Sequence, residues 1–185
     1  TATVQVVVAQ RVAAIRLDRD SVLFESLNAV QDVRGTPIDR LGSPVSDAGV
    51  EYSVDDPSVA LVDAAGQVRA VANGAAELVI ASGADTARVA LRVMQRPVRV
   101  VFPSDTIRFD ALGDTAALQG RAVDSLGSPV AGEVTGASVS DSTVAQAMGP
   151  VTIRALANGA TTAAPTASGI TGRVTVLVDQ VATSL

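Results

Sequence analysis

The reactive side chains of this sequence are almost all carboxylates. Asp18, Asp20 and Glu25 lie close together, as do Asp105 and Asp110. Two carboxylates about 5 to 10 Å apart across a cleft would serve a glycosidase. Asp55 and Asp56 lie near Asp63, and several carboxylates on one short loop are what a calcium ion requires. Other catalytic apparatus is missing. Histidine and cysteine are absent, which excludes imidazole bases, thiolate nucleophiles, a Ser-His-Asp triad and the usual zinc and copper sites. Lysine is absent too, so Lys-Asn cross-links cannot form.

The placement of these carboxylates argues against both chemistries. The pairs fall at strand ends that recur along the chain, not in one long irregular loop. The dense acidic spacing of a calcium loop is missing, and later in the chain only Asp141 answers to Asp55-Asp56. They read as turn and capping residues, so no catalytic residue, cofactor or metal site is expected. One hydroxyl-rich tract, Thr161 to Ser168, offers Thr161, Thr162 and Thr166 as candidates for O-glycosylation, although it also reads as a drifted strand and loop. No asparagine begins an Asn-x-Ser/Thr sequon.

The elements that carry these residues are written more than once. TATVQVVVAQ (Thr1 to Gln10), TARVALRVMQ (Thr86 to Gln95) and TGRVTVLVDQ (Thr171 to Gln180) are copies of one segment at a constant interval of 85 residues. Each alternates apolar side chains: Val4, Val6, Val8; Val89, Leu91, Val93; Val174, Val176, Val178. That is the period of a half-buried β-strand. The same interval relates LGSPV at Leu41 to Leu126, Val59-Ala60 to Val144-Ala145, Ala72-Asn73-Gly74-Ala75 to Ala157-Asn158-Gly159-Ala160, and Phe24 to Phe109. A period of that size is a small domain. The expected organisation is an orphan strand over 1–10, a first domain over 11–95 and a second over 96–185.

Composition sets the class. Hydrophobic residues make up 48% of the chain and charged residues 18%, which argues for a packed core over disorder. Aromatics are only 2%, so that core is built from Val, Ala, Leu and Ile. Valine and threonine favour strands, and glycine and proline punctuate the chain at turn positions. In the first repeat the pattern predicts strands over 11–18, continued by 21–24, then 30–39, 50–54, 59–63, 67–72, 75–82 and 86–94. Asn73-Gly74 is read as a type I′ hairpin. The class is all-β. The net charge of −5, the scattered arginines and the lack of stacking aromatics argue against nucleic-acid binding. No apolar run is long enough for membrane insertion within this chain.

The run VAAIRLDRDSVLF, then LGSPV, then VEYSVDDPSVALVDAAGQVRAVANGAAELVIAS and TARVALRV resembles the bacterial immunoglobulin-like domain of group 2, found in intimin- and invasin-type surface proteins. The resemblance covers both repeats. It implies two tandem immunoglobulin-like Greek-key β-sandwiches and a bacterial cell-surface or extracellular location. The second repeat departs from the pattern: Ala137 stands where the first has Tyr52, and Pro165 interrupts a strand.

The function expected on these grounds is non-enzymatic: a spacer rod or filament subunit whose partners are neighbouring Ig-like domains or identical subunits. Thr1 to Gln10 is either the last strand of an upstream sandwich or a donor strand for another subunit, with Val4, Val6 and Val8 facing the recipient core. The alternatives are an adhesin module that recognises carbohydrate or protein, and an accessory domain of an exported enzyme.

Overall fold

The structure is a computed structural model that describes residues 3–5 and 10–181. Val6 and Val8 of the proposed donor strand lie outside the described residues. Val4 is exposed, and residues 3–5 belong to no strand.

The chain divides into two units, Thr1–Gln95 and Arg96–Leu185. The first contains β1 (Ala14–Leu17), β2 (Ser21–Phe24), β3 (Val30–Asp32), β4 (Gly35–Ile38), β5 (Glu51–Val54), β6 (Ala60–Val62), β7 (Gln67–Ala70), β8 (Gly74–Ser82) and β9 (Asp85–Val93). One sheet runs β2-β9-β8-β5 and the other β3-β7-β6, while β1 pairs with β4. Alternation along the strands decides what lies between the sheets. Val89, Leu91 and Val93 of β9 are buried with Phe24, Leu78 and Ile80 of the same sheet, against Val68, Ala60 and Ala70 of the other. Ala90 and Arg92 face outward. This is an immunoglobulin-like sandwich with one core.

The second unit repeats the plan. Its strands are β10 (Arg99–Val101), β11 (Thr106–Phe109), β12 (Thr115–Ala117), β13 (Arg121–Val123), β14 (Val134–Val139), β15 (Ala145–Ala147), β16 (Thr152–Ala155), β17 (Gly159–Ala167), β18 (Ile170–Thr171) and β19 (Val174–Val178). The pairing register is kept as well. Ser21↔Ala90 becomes Thr106↔Thr175, Val30↔Arg69 becomes Thr115↔Arg154, and Gly74↔Val93 becomes Gly159↔Val178. Its core gathers Phe109, Leu118, Ile153, Val174, Val176 and Val178.

Two strand expectations change. Residues 11–18 and 21–24 do not form one strand along one sheet: β1 pairs antiparallel with β4, whereas β2 crosses to the other sheet and pairs parallel with β9. The segment 30–39 is likewise two strands, β3 and β4, in different sheets, with Val33 fully buried between them. Pro37 is tolerated in β4 because, among the described residues, that strand pairs only with β1 and through the isolated Ile38↔Pro44 bridge.

Asn73-Gly74 is not a type I′ hairpin. Neither residue has positive φ, and the strands on either side, β7 and β8, belong to opposite sheets. The glycine is required there by proximity, since a Cβ on Gly74 would come within 2.7 Å of Val59 Cγ2. The type I′ signature instead falls at Ser168 (φ 49°) and Gly169 (φ 77°), between the paired Ala167 and Ile170.

Candidate functional site

The carboxylates are held by their own turns. Asp39 Oδ1 accepts the N–H groups of Leu41 and Ser43, both at 2.9 Å, and its Oδ2 accepts Gln10 Nε2 at 3.1 Å. Asp124 repeats the arrangement with Leu126 and Ser128 at 3.1 and 2.9 Å. These are the DxLGSP loops, in which Gly42 and Gly127 adopt φ of 82° and 86°. The backbone donors hold the Asp39 carboxyl below its usual value, the Ser43 N–H most of all.

The residues considered for calcium are similarly engaged. Asp55 Oδ1 accepts Glu77 N at 2.7 Å, and Asp63 Oδ1 accepts Ala65 N and Gln67 N, each at 2.9 Å. Asp56 Oδ1 accepts the Ser58 hydroxyl at 2.6 Å and its N–H at 3.0 Å. The corresponding Asp141 takes the Thr143 hydroxyl at 2.6 Å and its N–H at 2.9 Å. Both carboxyls are lowered, chiefly by those hydroxyls. Among the described residues no group of three acidic side chains converges as metal ligands would.

The strand-end carboxylates do not face one another across a cleft. Asp20 precedes β2 and Glu25 follows it, and Asp105 and Asp110 flank β11 in the same way. Five residues of extended chain span about 16 Å, beyond the separation a glycosidase uses. Asp18 instead accepts Arg34 N at 3.0 Å, beside the β1-to-β2 crossing.

The threonines considered for glycosylation lie in β17, a strand inside a sheet and not an irregular tract. Thr161 is buried, and its Oγ1 accepts Asp141 N at 2.9 Å. Thr166 Oγ1 lies 3.0 Å from Thr171 Oγ1. Thr162 is half-buried.

The aromatic side chains belong to the cores. Phe24 and Phe109 are buried, and Tyr52 and Phe102 pack against the same clusters. What sequence reasoning missed is a pair of latches built from amide side chains. Asn73 Oδ1 accepts Gln95 N at 2.7 Å while its Nδ2 donates to Gln95 Oε1 at 3.1 Å. Asn158 Oδ1 accepts Gln180 N at 2.9 Å. The signal was present in the repeat, because Asn73/Asn158 and Gln95/Gln180 recur together.

A search of curated proteins finds no match to this chain. Among solved structures, the S-layer protein rSbsC(31-844) aligns with 95% of this chain at 17% identity and a TM-score of 0.43, and the chain spans 29% of that protein's length. Domains 5-6 of the S-layer protein SbsC align over 94% of this chain and 100% of theirs, at 18% identity and a TM-score of 0.43. Cadherin domains 1-4 of protocadherin gamma B7 align over 88% of this chain and 49% of theirs, at 14% identity and 0.45. Residues 39–91, from the Asp39 loop into β9, match the sequence profile of the bacterial Ig-like domain (group 2).

Proposed function

We propose that this chain is a structural module of a bacterial cell-surface or extracellular protein, built from two tandem Ig-like domains and acting as a spacer or filament building block without enzymatic activity. The observation that carries this reading is that one sandwich register is written twice at a constant interval. Asp39 and Asp56, and their counterparts Asp124 and Asp141, are meanwhile hydrogen-bonded within their own turns. The family match over 39–91 supports the surface location.

The partners on this reading are neighbouring Ig-like domains or identical subunits. Thr1 to Gln10 repeats the sequence of the segment that holds β9, in which the positions equivalent to Val4, Val6 and Val8 are buried as Val89, Leu91 and Val93. A strand carrying that pattern suits the slot between a β8-like and a β2-like strand of another sandwich. It would add main-chain ladder bonds and several buried valines, roughly 1.5 to 3 kcal/mol each. Electron microscopy and sedimentation of the native assembly test this. Val6→Asp is expected to abolish assembly, and Gln5→Asp, at the outward position matching Ala90, to leave it intact. A chain lacking 1–10 that assembles and melts like the parent would rule out the strand's role.

A further inference from the structure

We infer that Asn73-Gly74 and Asn158-Gly159 are sites of spontaneous deamidation, one in each unit, and that the amide latches set how fast each unit ages. Asparagine is a thermolabile residue, most of all before glycine, whose bare Cα lets its nitrogen reach the amide carbon. In this reaction the Gly74 nitrogen loses its proton to solvent base and bonds to Asn73 Cγ, the Cγ–Nδ2 bond breaks, and Nδ2 leaves as ammonia. Water then opens the cyclic imide at either carbonyl, giving aspartate or isoaspartate. Asn73 and Asn158 are both exposed, so water reaches each site.

The fold demands both members of the dipeptide. A Cβ on Gly74 would lie 2.7 Å from Val59 Cγ2, and Gly159 combines a φ of 148° with Val144 Cγ2 at 3.1 Å. The asparagine is required because its side chain prolongs the ladder: Asn73 Oδ1 accepts Gln95 N at 2.7 Å, and Asn158 Oδ1 accepts Gln180 N at 2.9 Å. The most labile pairing is thus imposed by packing and hydrogen bonding together.

The same contacts hold the reacting groups apart. Gly74 lies opposite Val93 in the β8–β9 ladder, and Met94 N donates to Phe24 O on the other side of β9. Alternation therefore turns the Val93 peptide groups toward β8, and Gly74 and Val93 form a hydrogen-bonded pair that engages the attacking nitrogen. Gly159↔Val178, with Asp179 N donating to Phe109 O, repeats this. The leaving amide is held in the first unit, where Asn73 Nδ2 donates to Gln95 Oε1 at 3.1 Å. Among the described residues, Asn158 makes the first latch bond and not this second one. Cyclisation consequently waits for the ladder end to open, and the second unit opens more readily. Isoaspartate adds a methylene to the main chain where β8 or β17 begins, which displaces the register and keeps the end from closing again. Each conversion is a permanent record of an opening.

Peptide mapping by mass spectrometry, with isoaspartate-specific methylation, tests this on the full chain kept in mildly alkaline buffer with and without guanidinium. Both sites read Ala-Asn-Gly-Ala, so in guanidinium they are expected to convert at matching rates. In the folded chain each should be slower by about tenfold or more, because only the opened fraction reacts, and Asn158 should convert ahead of Asn73. Asn28, which precedes Ala29, serves as the unconverted control. Gln95→Ala removes the acceptor of Asn73 Nδ2 and is expected to speed conversion of Asn73 by roughly fivefold, the shift that one net hydrogen bond gives to an opening equilibrium, with Asn158 unchanged. Gln95→Glu, whose carboxylate still accepts from Nδ2, should restore the parent rate, which separates the latch from general loosening. Folded rates equal to those in guanidinium overturn the inference, as do an Asn73 that converts as fast as Asn158 and a Gln95→Ala chain in which Asn73 keeps the parent rate.

Discussion

Pro165 faces Gly172 across the sheet of the second unit, joined by one hydrogen bond from Gly172 N to Pro165 O at 2.8 Å. The equivalent pair in the first unit is Ile80↔Ala87, in the middle of an unbroken β9. Proline has no N–H to return, so the pair keeps half its bonding, and the partner strand is divided here into β18 and β19. The space is not left empty. A Cβ on Gly172 would lie 2.7 Å from Phe102 Cζ, and one on Gly120 would lie 2.8 Å from Phe102 Cε1. Phe102 corresponds to Leu17, so an aromatic has been gained near this edge while Tyr52 has given way to Ala137.

Pro165→Val is expected to restore the missing donor and stabilise the second unit by about 1 kcal/mol, the net value of one hydrogen bond. Urea denaturation measures the gain, and hydrogen exchange at Gly172 and Arg173 should slow as β18 and β19 join. A loss of stability would mean that the proline is needed for the packing of Phe102.

The second unit is expected to melt below the first when each is expressed alone. It lacks the Pro165 donor, and Ala137 replaces a ring packed against the core, changes that each cost on the order of 1 to 3 kcal/mol. Phe102 offsets part of this. Calorimetry of residues 11–95 and 96–185 decides the order, and a higher transition for 96–185 would contradict the argument.

Much of this was legible in the sequence, because strands repeat a period of two and the chain repeats an interval of 85. The alternation of Val89, Leu91 and Val93 gave both the strand and its buried face. What could not be read is where the chain changes sheet. The chain changes sheet through bends at Asp18 and Asp20 and through the short link at residues 33–34, and these interruptions are too brief to break the apolar period, so period alone sees one strand at each place. Asn73-Gly74 misled for a related reason: a hairpin and a sheet crossing both favour small polar residues. The backbone of both residues, which lacks the positive φ of a type I′ turn, and the proximity of Val59 distinguish them. The turn role of Asp56 was legible because Ser58 follows two residues later, whereas the Asn73 latch joins residues 22 apart.

Two glycines with nearly the same backbone test how far crowding adds to conformation. Gly42 and Gly66 have φ of 82° and 84°. Around Gly42 nothing lies within 4 Å of a Cβ, whereas at Gly66 the Cβ would press on the Val33 carbonyl oxygen and come 2.9 Å from Tyr52 Cζ. Gly42→Ala is expected to cost about 1 kcal/mol, the ordinary price of an L-residue in this region. Gly66→Ala adds overpacking and should cost on the order of 3 kcal/mol or more. Chemical denaturation of the two variants gives the difference directly, and similar losses would show that the Val33 carbonyl and the Tyr52 ring both give way freely.

The turn carboxylates predict the acid limb of stability. Asp39, Asp56 and Asp141 have carboxyls lowered in the folded protein by hydrogen bonds from their own loops: for Asp39 from the Ser43 N–H first, for Asp56 from the Ser58 hydroxyl, for Asp141 from the Thr143 hydroxyl. A group whose folded value lies below its unfolded one binds fewer protons when folded. Its contribution is complete above the unfolded value, about 3.9 for aspartate, and is lost as pH falls through the folded value. Stability should therefore be level from neutral pH down to about 5 and decline below about 4. Asp56→Asn is expected to flatten that decline in the first unit and Asp141→Asn in the second, since an amide accepts the same hydrogen bonds without titrating. Melting temperatures across the acid range check both variants against the parent, and an acid limb unchanged in either would assign the loss to other carboxylates.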